Sequence, residues 1–298
     1  MELHQLRYIV ALSQERNFLR AAKRANITQP TLSHQIKKLE EEIGSPLFER
    51  SSHGVRLTKA GEKFIPYAIA TLDNLEKGLT ELQEERKDIS GKISIGAIPT
   101  IGPYLLPNIL INLKKKAPRL SLVLYEETTS TLLESLKAGK IDLAVLALPV
   151  SDAGIVSRSL GKEDFFLAVS KQHPLAKKKQ VTAKILKEER LLILQEGHCF
   201  SDQALEYCKH SREDTQIIFQ GSSLTSVMKL ASAGEGLTLV PKMAVSMQEN
   251  PNLAFIPFAA PKPNRDIGLI WRITAPLTPA HRFLINAIET VYKEINKK

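Results

Sequence analysis

The two cysteines of this chain, Cys199 and Cys208, are its most reactive side chains. Both fall in the stretch Glu196-Gly197-His198-Cys199-Phe200-Ser201-Asp202-Gln203-Ala204-Leu205-Glu206-Tyr207-Cys208. Cys208 follows Ala204 by four positions and Leu205 by three, which puts it on an apolar helical stripe. An unlinked cysteine there is ordinarily a small buried hydrophobe. Cys199 differs: it precedes a helix that Ser201 or Asp202 would cap, and it adjoins His198. A helix N-terminus and an imidazolium both favour thiolate over thiol. Such a thiolate attacks peroxide and becomes a sulfenic acid, with which a second thiol condenses. If the whole segment were one helix, nine positions at ~1.5 Å rise would part the two Cα atoms by about 13 Å, beyond the ~7 Å limit for a disulfide. A bond would need the helix to unwind, which in physical terms is a switch. A metal site of His198, Cys199, Cys208 and His210 has soft and borderline ligands, but zinc sites usually space paired ligands roughly two to five residues apart. No metal or cofactor is expected. A thiol peroxidase would use the same Cys199 chemistry.

The rest of the chain decides between these uses. At 298 residues and roughly 100–200 residues per domain, about two domains are implied. Hydrophobic residues at 43% and charged residues at 24% match folded globular proteins and exclude disordered or disulfide-scaffold classes. No stretch approaches the ~18 consecutive apolar residues of a membrane span, and the N-terminus lacks a basic segment followed by an apolar run, so a cytoplasmic protein is expected, without a membrane partner. The net charge is +9, and the surplus is local. Arg16, Arg20, Lys23, Arg24, Lys37 and Lys38 stand between residues 16 and 38 with no acidic residue among them. Such a patch fits a nucleic-acid partner.

In the first sixty residues, Leu6, Ile9, Val10 and Ser13 form one helical stripe and Phe18, Ala21, Ala22 and Ala25 a second. Thr28 is placed to cap a third helix, with Gln29 and Pro30 in its first turn. Leu32, Ile36 and Leu39 bury its inner face. Its outer face carries Gln29, Pro30, Thr31, Ser33, His34 and Lys37, short polar groups and one cation suited to base edges and phosphates. This is a helix-turn-helix whose third helix enters the major groove. Arg50-Ser51-Ser52-His53-Gly54-Val55-Arg56 reads as a hairpin wing that sets Arg50 and Arg56 near the DNA backbone. From Phe18 to Arg50 the chain resembles LysR-type transcriptional regulators, through Ala21-Ala22, Thr28-Gln29-Pro30-Thr31-Leu32-Ser33, Ile36, Leu39-Glu40, Gly44 and Leu47-Phe48-Glu49-Arg50. The resemblance implies a winged helix-turn-helix, a dimerising linker helix and a two-lobed effector domain.

Past Thr58, Phe64, Ala68, Leu72, Leu75, Leu79 and Leu82 recur at steps of four, four, three, four and three to make a narrow seam on a helix running to about Lys87. A homodimer contact is expected there, with an intramolecular core stripe as the alternative. Asp88-Ile89-Ser90-Gly91 marks a boundary. From Lys92 short apolar runs alternate with amphipathic segments, so parallel α/β sheets are expected. The fold class is α+α/β: a winged helix-turn-helix at 1–58, a long linker helix at 59–90, and a two-lobed α/β regulatory domain at 91–298 that resembles periplasmic binding proteins. Lobe I takes about 91–162 and 267–298, and lobe II about 163–266. A ligand site belongs between the lobes. Thr100 sits just past the first strand, and Thr128-Thr129-Ser130 opens a helix, where hydroxyls and free N–H groups converge.

The similarity then extends nearly end to end to the hydrogen-peroxide-sensing OxyR branch of that family. It is carried by Pro99-Thr100, Gly102-Pro103-Tyr104-Leu105-Leu106-Pro107, Thr129, Leu136 with Gly139-Lys140, Gly197-His198-Cys199, Asp202-Gln203-Ala204, Cys208, Ala233-Gly234, Gly236 and Pro241. The resemblance implies Cys199 as the peroxide-reactive cysteine and Cys208 as its resolving partner. Thr100, Thr129, His198 and Asp202 are implied as pocket groups, and Arg265 as a cation polarising the site. It also implies a non-enzymatic regulator that binds promoter DNA as a homodimer or homotetramer and works with RNA polymerase. The competing readings are a regulator sensing a small metabolite between the lobes, with merely packed cysteines, and a cysteine peroxidase.

Overall fold

The computed structural model describes residues 1–51, 54–83, 89–194, 217–221, 223–245, 250–275 and 277–297. Cys199, Cys208, His198 and Asp202 lie outside these residues. At the N-terminal end, helices α1 (Leu3–Glu15), α2 (Phe18–Arg24) and α3 (Gln29–Ile43) form on the expected stripes. Leu6, Ile9, Leu12, Ala21, Leu32 and Leu39 share their core. The Asn17 side chain accepts the Arg20 N–H at 3.0 Å to cap α2. Thr28 accepts the Thr31 N–H at 3.4 Å to cap α3. Each cap satisfies a backbone donor that has no partner within its own helix. Gly44, with φ of 76°, turns the chain out of α3, in the left-handed region that favours glycine. Strands β1 (Phe48–Ser51) and β2 (Gly54–Leu57) pair antiparallel with Glu49 opposite Arg56, which forms the expected wing.

The Thr58 hydroxyl accepts the Gly61 N–H at 3.1 Å and so starts α4 (Lys59–Gln83). Part of its apolar face is taken up within its own chain. Ala68 is 2% exposed, within the helix-turn-helix core of its own chain, and Phe64 and Leu72 pack against that core. The reason is that α1 needs a wall opposite α2 and α3, and α4 lies along it. A three–four repeat marks a buried face without specifying what buries it. Leu75 is half-buried, and the side chains of Leu79 and Leu82 lie outside the described set. Tyr67, by contrast, is 74% exposed.

The regulatory part begins with β3 (Gly91–Ala97), α5 (Gly102–Lys116), β4 (Leu120–Glu126), α6 (Thr129–Lys137) and β5 (Leu143–Leu148). Here β3 pairs in parallel with β4 and β5, as the strand–helix alternation requires. The long β6 (Ile155–Ser170) follows, then α7 (Ile185–Glu188) and β7 (Leu191–Leu194). Next come β8 (Ile217–Gly221), α8 (Leu224–Ser232), β9 (Thr238–Pro241), α9 (Lys242–Val245), β10 (Leu253–Pro257), β11 (Asn264–Arg272) and α10 (Pro279–Lys297).

One sheet has the order β10-β6-β11-β5-β3-β4, with β9 also on β6, and β7 pairs with β8 separately. The expectation of parallel sheets needs correction. β6 is antiparallel to β9, β10 and β11, and β11 is antiparallel to β5. The physical cause is the double crossing of the chain, out along β6 and back along β11. Strands joined that way lie side by side in opposite directions, whereas parallel pairs need a helical crossover. The first part of β6 pairs with β11 and its last part with β9 and β10. Within the stretch paired with β11, Gly161 adopts φ of 133° and lies opposite Ile267, beside a register shift. The α10 helix packs on α5 and β6, and its Tyr292 hydroxyl donates to the Gly161 carbonyl at 2.9 Å.

Candidate effector site and nucleic-acid interface

At the crossing of β6 and β11 the fold buries an arginine. Arg265 is 2% exposed, Thr100 1% and Glu163 0%. The guanidinium donates from Nε to Glu163 Oε2 at 2.8 Å, and Nη2 lies 2.8 Å from the same oxygen. Nη1 donates to the Thr100 hydroxyl at 2.7 Å and Nη2 to the Thr100 carbonyl at 3.2 Å. The other oxygen of Glu163, Oε1, accepts the Met243 N–H of α9 at 2.9 Å. Phe165, two positions along β6 from Glu163, puts its ring centroid 5.8 Å from the Arg265 carbon Cζ. Buried charges persist when they are paired and fully hydrogen-bonded. Nearby, burial and the Glu163 charge raise the Tyr292 hydroxyl well above its ordinary value.

Two of the expected pocket residues, Thr100 and Arg265, are therefore in direct contact. Thr129 opens α6 and is half-buried. The hydroxyl of Thr128 bonds those of Ser130 at 3.1 Å and Thr131 at 3.0 Å. Glu163 was missed by sequence reading because Lys162-Glu163-Asp164 resembles a solvated charge run. The signal available was an ionisable residue two positions before the apolar segment Phe165 to Val169.

The opposite end of β11 carries a second buried arginine that the sequence did not disclose. Arg272 meets Asp73 of α4 through Nε at 3.3 Å and through Nη2 at 3.2 and 3.4 Å. Its Nη1 donates to the carbonyls of Leu136 at 2.8 Å and Ile141 at 3.1 Å. Gln14 of α1 donates to the Ala138 carbonyl beside them. Burial raises the Asp73 carboxyl, and Arg272 opposes that rise. His281, whose ring bonds Thr278 at 2.8 Å, is lowered by burial and by Arg272 and Arg282, against the pull of Asp142. Asp73 could have been found as a carboxylate set beside Ile69 and Leu72 on the apolar side of α4.

On the helix-turn-helix, Gln29, Pro30, Thr31, His34 and Lys37 are exposed on one side of α3, and Ser33 is half-buried. Arg56 is exposed on β2, and Arg50 lies on β1 opposite Val55. Not all of the local cations are available to a partner. Arg24 pairs with Glu15 at 3.0 Å, and Arg20 donates to the Glu15 carbonyl at 3.0 Å, so both fasten α2 to the end of α1.

These two features have counterparts in known proteins. The family described as bacterial regulatory helix-turn-helix protein, lysR family, matches residues 3–62, and the LysR substrate binding domain matches residues 86–293. The DNA-binding transcriptional dual regulator OxyR of Escherichia coli K12 is 37% identical over 289 residues, 97% of this chain and 95% of that protein. The hydrogen peroxide-inducible genes activator of Haemophilus influenzae is 36% identical over 296 residues, 99% of this chain and 98% of its own. Among solved structures, a full-length Pseudomonas aeruginosa OxyR with a cysteine-to-aspartate change superposes with a TM-score of 0.88 at 33% identity, covering 100% of this chain and 97% of that one. A hydrogen-peroxide-bound cysteine-to-serine mutant of Corynebacterium glutamicum OxyR gives 0.67 at 34% identity, covering 99% and 96%. These are transcription regulators and not enzymes. The chain accordingly belongs to the LysR family of helix-turn-helix regulators, in the branch that contains OxyR.

Proposed function

We propose that this chain is a peroxide-sensing transcription regulator in which Cys199 is the sensor and Cys208 resolves it. The observation that carries the reading is the buried cation Arg265, bonded to Thr100, in a chain whose sequence sets His198-Cys199 shortly beyond Leu194. Similarity to hydrogen peroxide-inducible genes activators along nearly the whole chain, at 36–37% identity, supports it.

In the first step the Cys199 thiolate attacks one peroxide oxygen. An S–O bond forms, the O–O bond breaks, and the departing hydroxide takes a proton to leave as water. The sulfur is oxidised by two electrons and the peroxide is reduced. In the second step Cys208 sulfur attacks the sulfenic sulfur, the S–S bond forms, the S–O bond breaks, and a second water leaves. Thr100, Thr129, His198, Asp202 and Arg265 hold peroxide or move its protons. The domain plan is 1–58 for DNA binding, 59–90 for the linker and 91–298 for sensing. Gln29, Pro30, Thr31, Ser33, His34 and Lys37 face the major groove of promoter DNA, while Arg50 and Arg56 contact phosphates. A homodimer or homotetramer presents two such helices to two half-sites in the cytoplasm and engages RNA polymerase. Leu75, Leu79 and Leu82 are the part of the linker seam assigned to that assembly.

Mass-spectrometric thiol mapping tests this after the reduced protein meets one equivalent of hydrogen peroxide, with Cys199→Ser in parallel. A Cys199–Cys208 disulfide in the parent and none in the variant is the expected result. Two free thiols would instead favour a regulator sensing a metabolite between the lobes.

A further inference from the structure

Glu163 is a carboxylate in contact with Arg265 that no sequence motif points to, and none of it reaches solvent. Its bonds are arranged to orient a neighbour. The carboxylate grips the Nε and Nη2 edge of Arg265 and is itself held by the Met243 N–H. A guanidinium is planar and rigid, so fixing one edge fixes where the remaining nitrogen points. That nitrogen, Nη1, lies 2.7 Å from the Thr100 hydroxyl.

Arginine has donors only, so Thr100 Oγ1 must be the acceptor in this bond. The hydroxyl proton is then turned away from Arg265 and is presented as a donor. A peroxide oxygen gathers negative charge as its O–O bond breaks, and it is stabilised by donors aimed in advance at the place where that charge develops.

We propose that Glu163 is a positioning residue for peroxide capture: it locks Arg265 so that Thr100 is held as a hydrogen-bond donor. The proposal rests on the peroxide-sensing reading above. A purely structural carboxylate would lower stability without singling out peroxide.

The test uses the full-length protein with Cys208→Ser, which leaves Cys199 as its single thiol. Two second-order rates are measured for that thiol across pH: sulfenic acid formation with hydrogen peroxide, trapped by dimedone, and alkylation by iodoacetamide. Glu163→Gln is expected to slow the peroxide reaction by about 10–100-fold, in the range found when an oriented donor is lost. Alkylation and its pH profile should move by less than about twofold, because the nucleophile itself is unchanged. Thr100→Val should produce the same loss, and Glu163→Gln with Thr100→Val should be no slower than Thr100→Val alone, since residues acting as one unit are not additive. Glu163→Asp, which keeps the charge, should recover part of the rate, and it carries the same comparison if Glu163→Gln does not fold. An unchanged peroxide rate would overturn the proposal. So would a parallel fall in both reactions, or losses that multiply in the double variant. A parent thiol that alkylates normally yet ignores peroxide would defeat the peroxide-sensing reading first, and the proposal with it.

Discussion

The two ends of β11 solve one problem in two ways. Arg265 and Arg272 are both buried arginines paired with a carboxylate, seven positions apart on one strand. The Arg265–Glu163 pair is sealed, with both side chains 0% exposed, and both partners lie on adjacent strands of one sheet. The Arg272–Asp73 pair is 9% and 11% exposed, and its carboxylate arrives from α4, beyond the regulatory domain. Arg272 also donates to two backbone carbonyls, so its charge is shared between a carboxylate and dipoles. Arg265 too has further acceptors, the hydroxyl and carbonyl of Thr100, so the two pairs differ in their access to water: the sealed carboxylate depends on its counter-charge more than the one that water can reach. The first tie belongs within a fold and the second joins two parts of the chain.

The largest expected effect separates the pairs. Arg265→Ala leaves Glu163 buried without a counter-charge and should cost about 3–5 kcal/mol in chemical denaturation. Asp73→Ala should cost less, about 1–3 kcal/mol, since that pair is partly open to water and Arg272 keeps its carbonyl acceptors. Equal losses would erase the distinction.

A smaller effect follows from pH. His281 has a lowered value in the fold, so the folded chain binds fewer protons there than the unfolded chain does. Its contribution is present above 6.5 and is lost as pH falls below that value toward the folded one. Asp73 has the opposite sign: its raised carboxyl favours the fold when protonated, and that contribution fades as pH rises above 3.8. Thermal melts should therefore drop by a few degrees between about pH 7 and pH 5.5, and His281→Gln should flatten that drop. A drop that survives the substitution assigns it to other groups. The smallest effect is the coupling between the two ends. Seven residues of strand at ~3.3 Å each separate them by about 23 Å, so the losses from Arg265→Ala and Arg272→Ala should add to within about 0.5 kcal/mol in the double variant.

Much of the N-terminal part was legible because its determinants are local. Thr28 capping α3, Thr58 capping α4 and the Arg50–Arg56 wing each involve neighbours a few residues apart. The regulatory sheet was harder. Only Phe165 to Val169 of β6 looked like a strand, because its earlier half holds Ser157, Arg158 and Ser159 and owes its extended form to pairing with β11. β10, five residues closed by Pro257, gave no usable pattern and passed unseen. Thr100 and Arg265 were reached through family likeness, and their direct contact spans 165 residues of sequence. Glu163 and Asp73 owe their burial to partners 102 and 199 positions away, a separation at which periodicity is silent. The linker seam shows the converse limit: its spacing marked a buried face, but Ala68 is buried in the helix-turn-helix core of the same chain.

Helix α6 has a mechanical consequence. Thr129 stands at its first position, and at its far end the Leu136 and Ala138 carbonyls are gripped by Arg272 and Gln14. A nine-residue helix is a strut of about 13 Å whose length scarcely changes under load. Its ends cannot travel independently. Thr129 at one end and the Arg272 and Gln14 contacts at the other are thus held at a fixed separation by one rigid element.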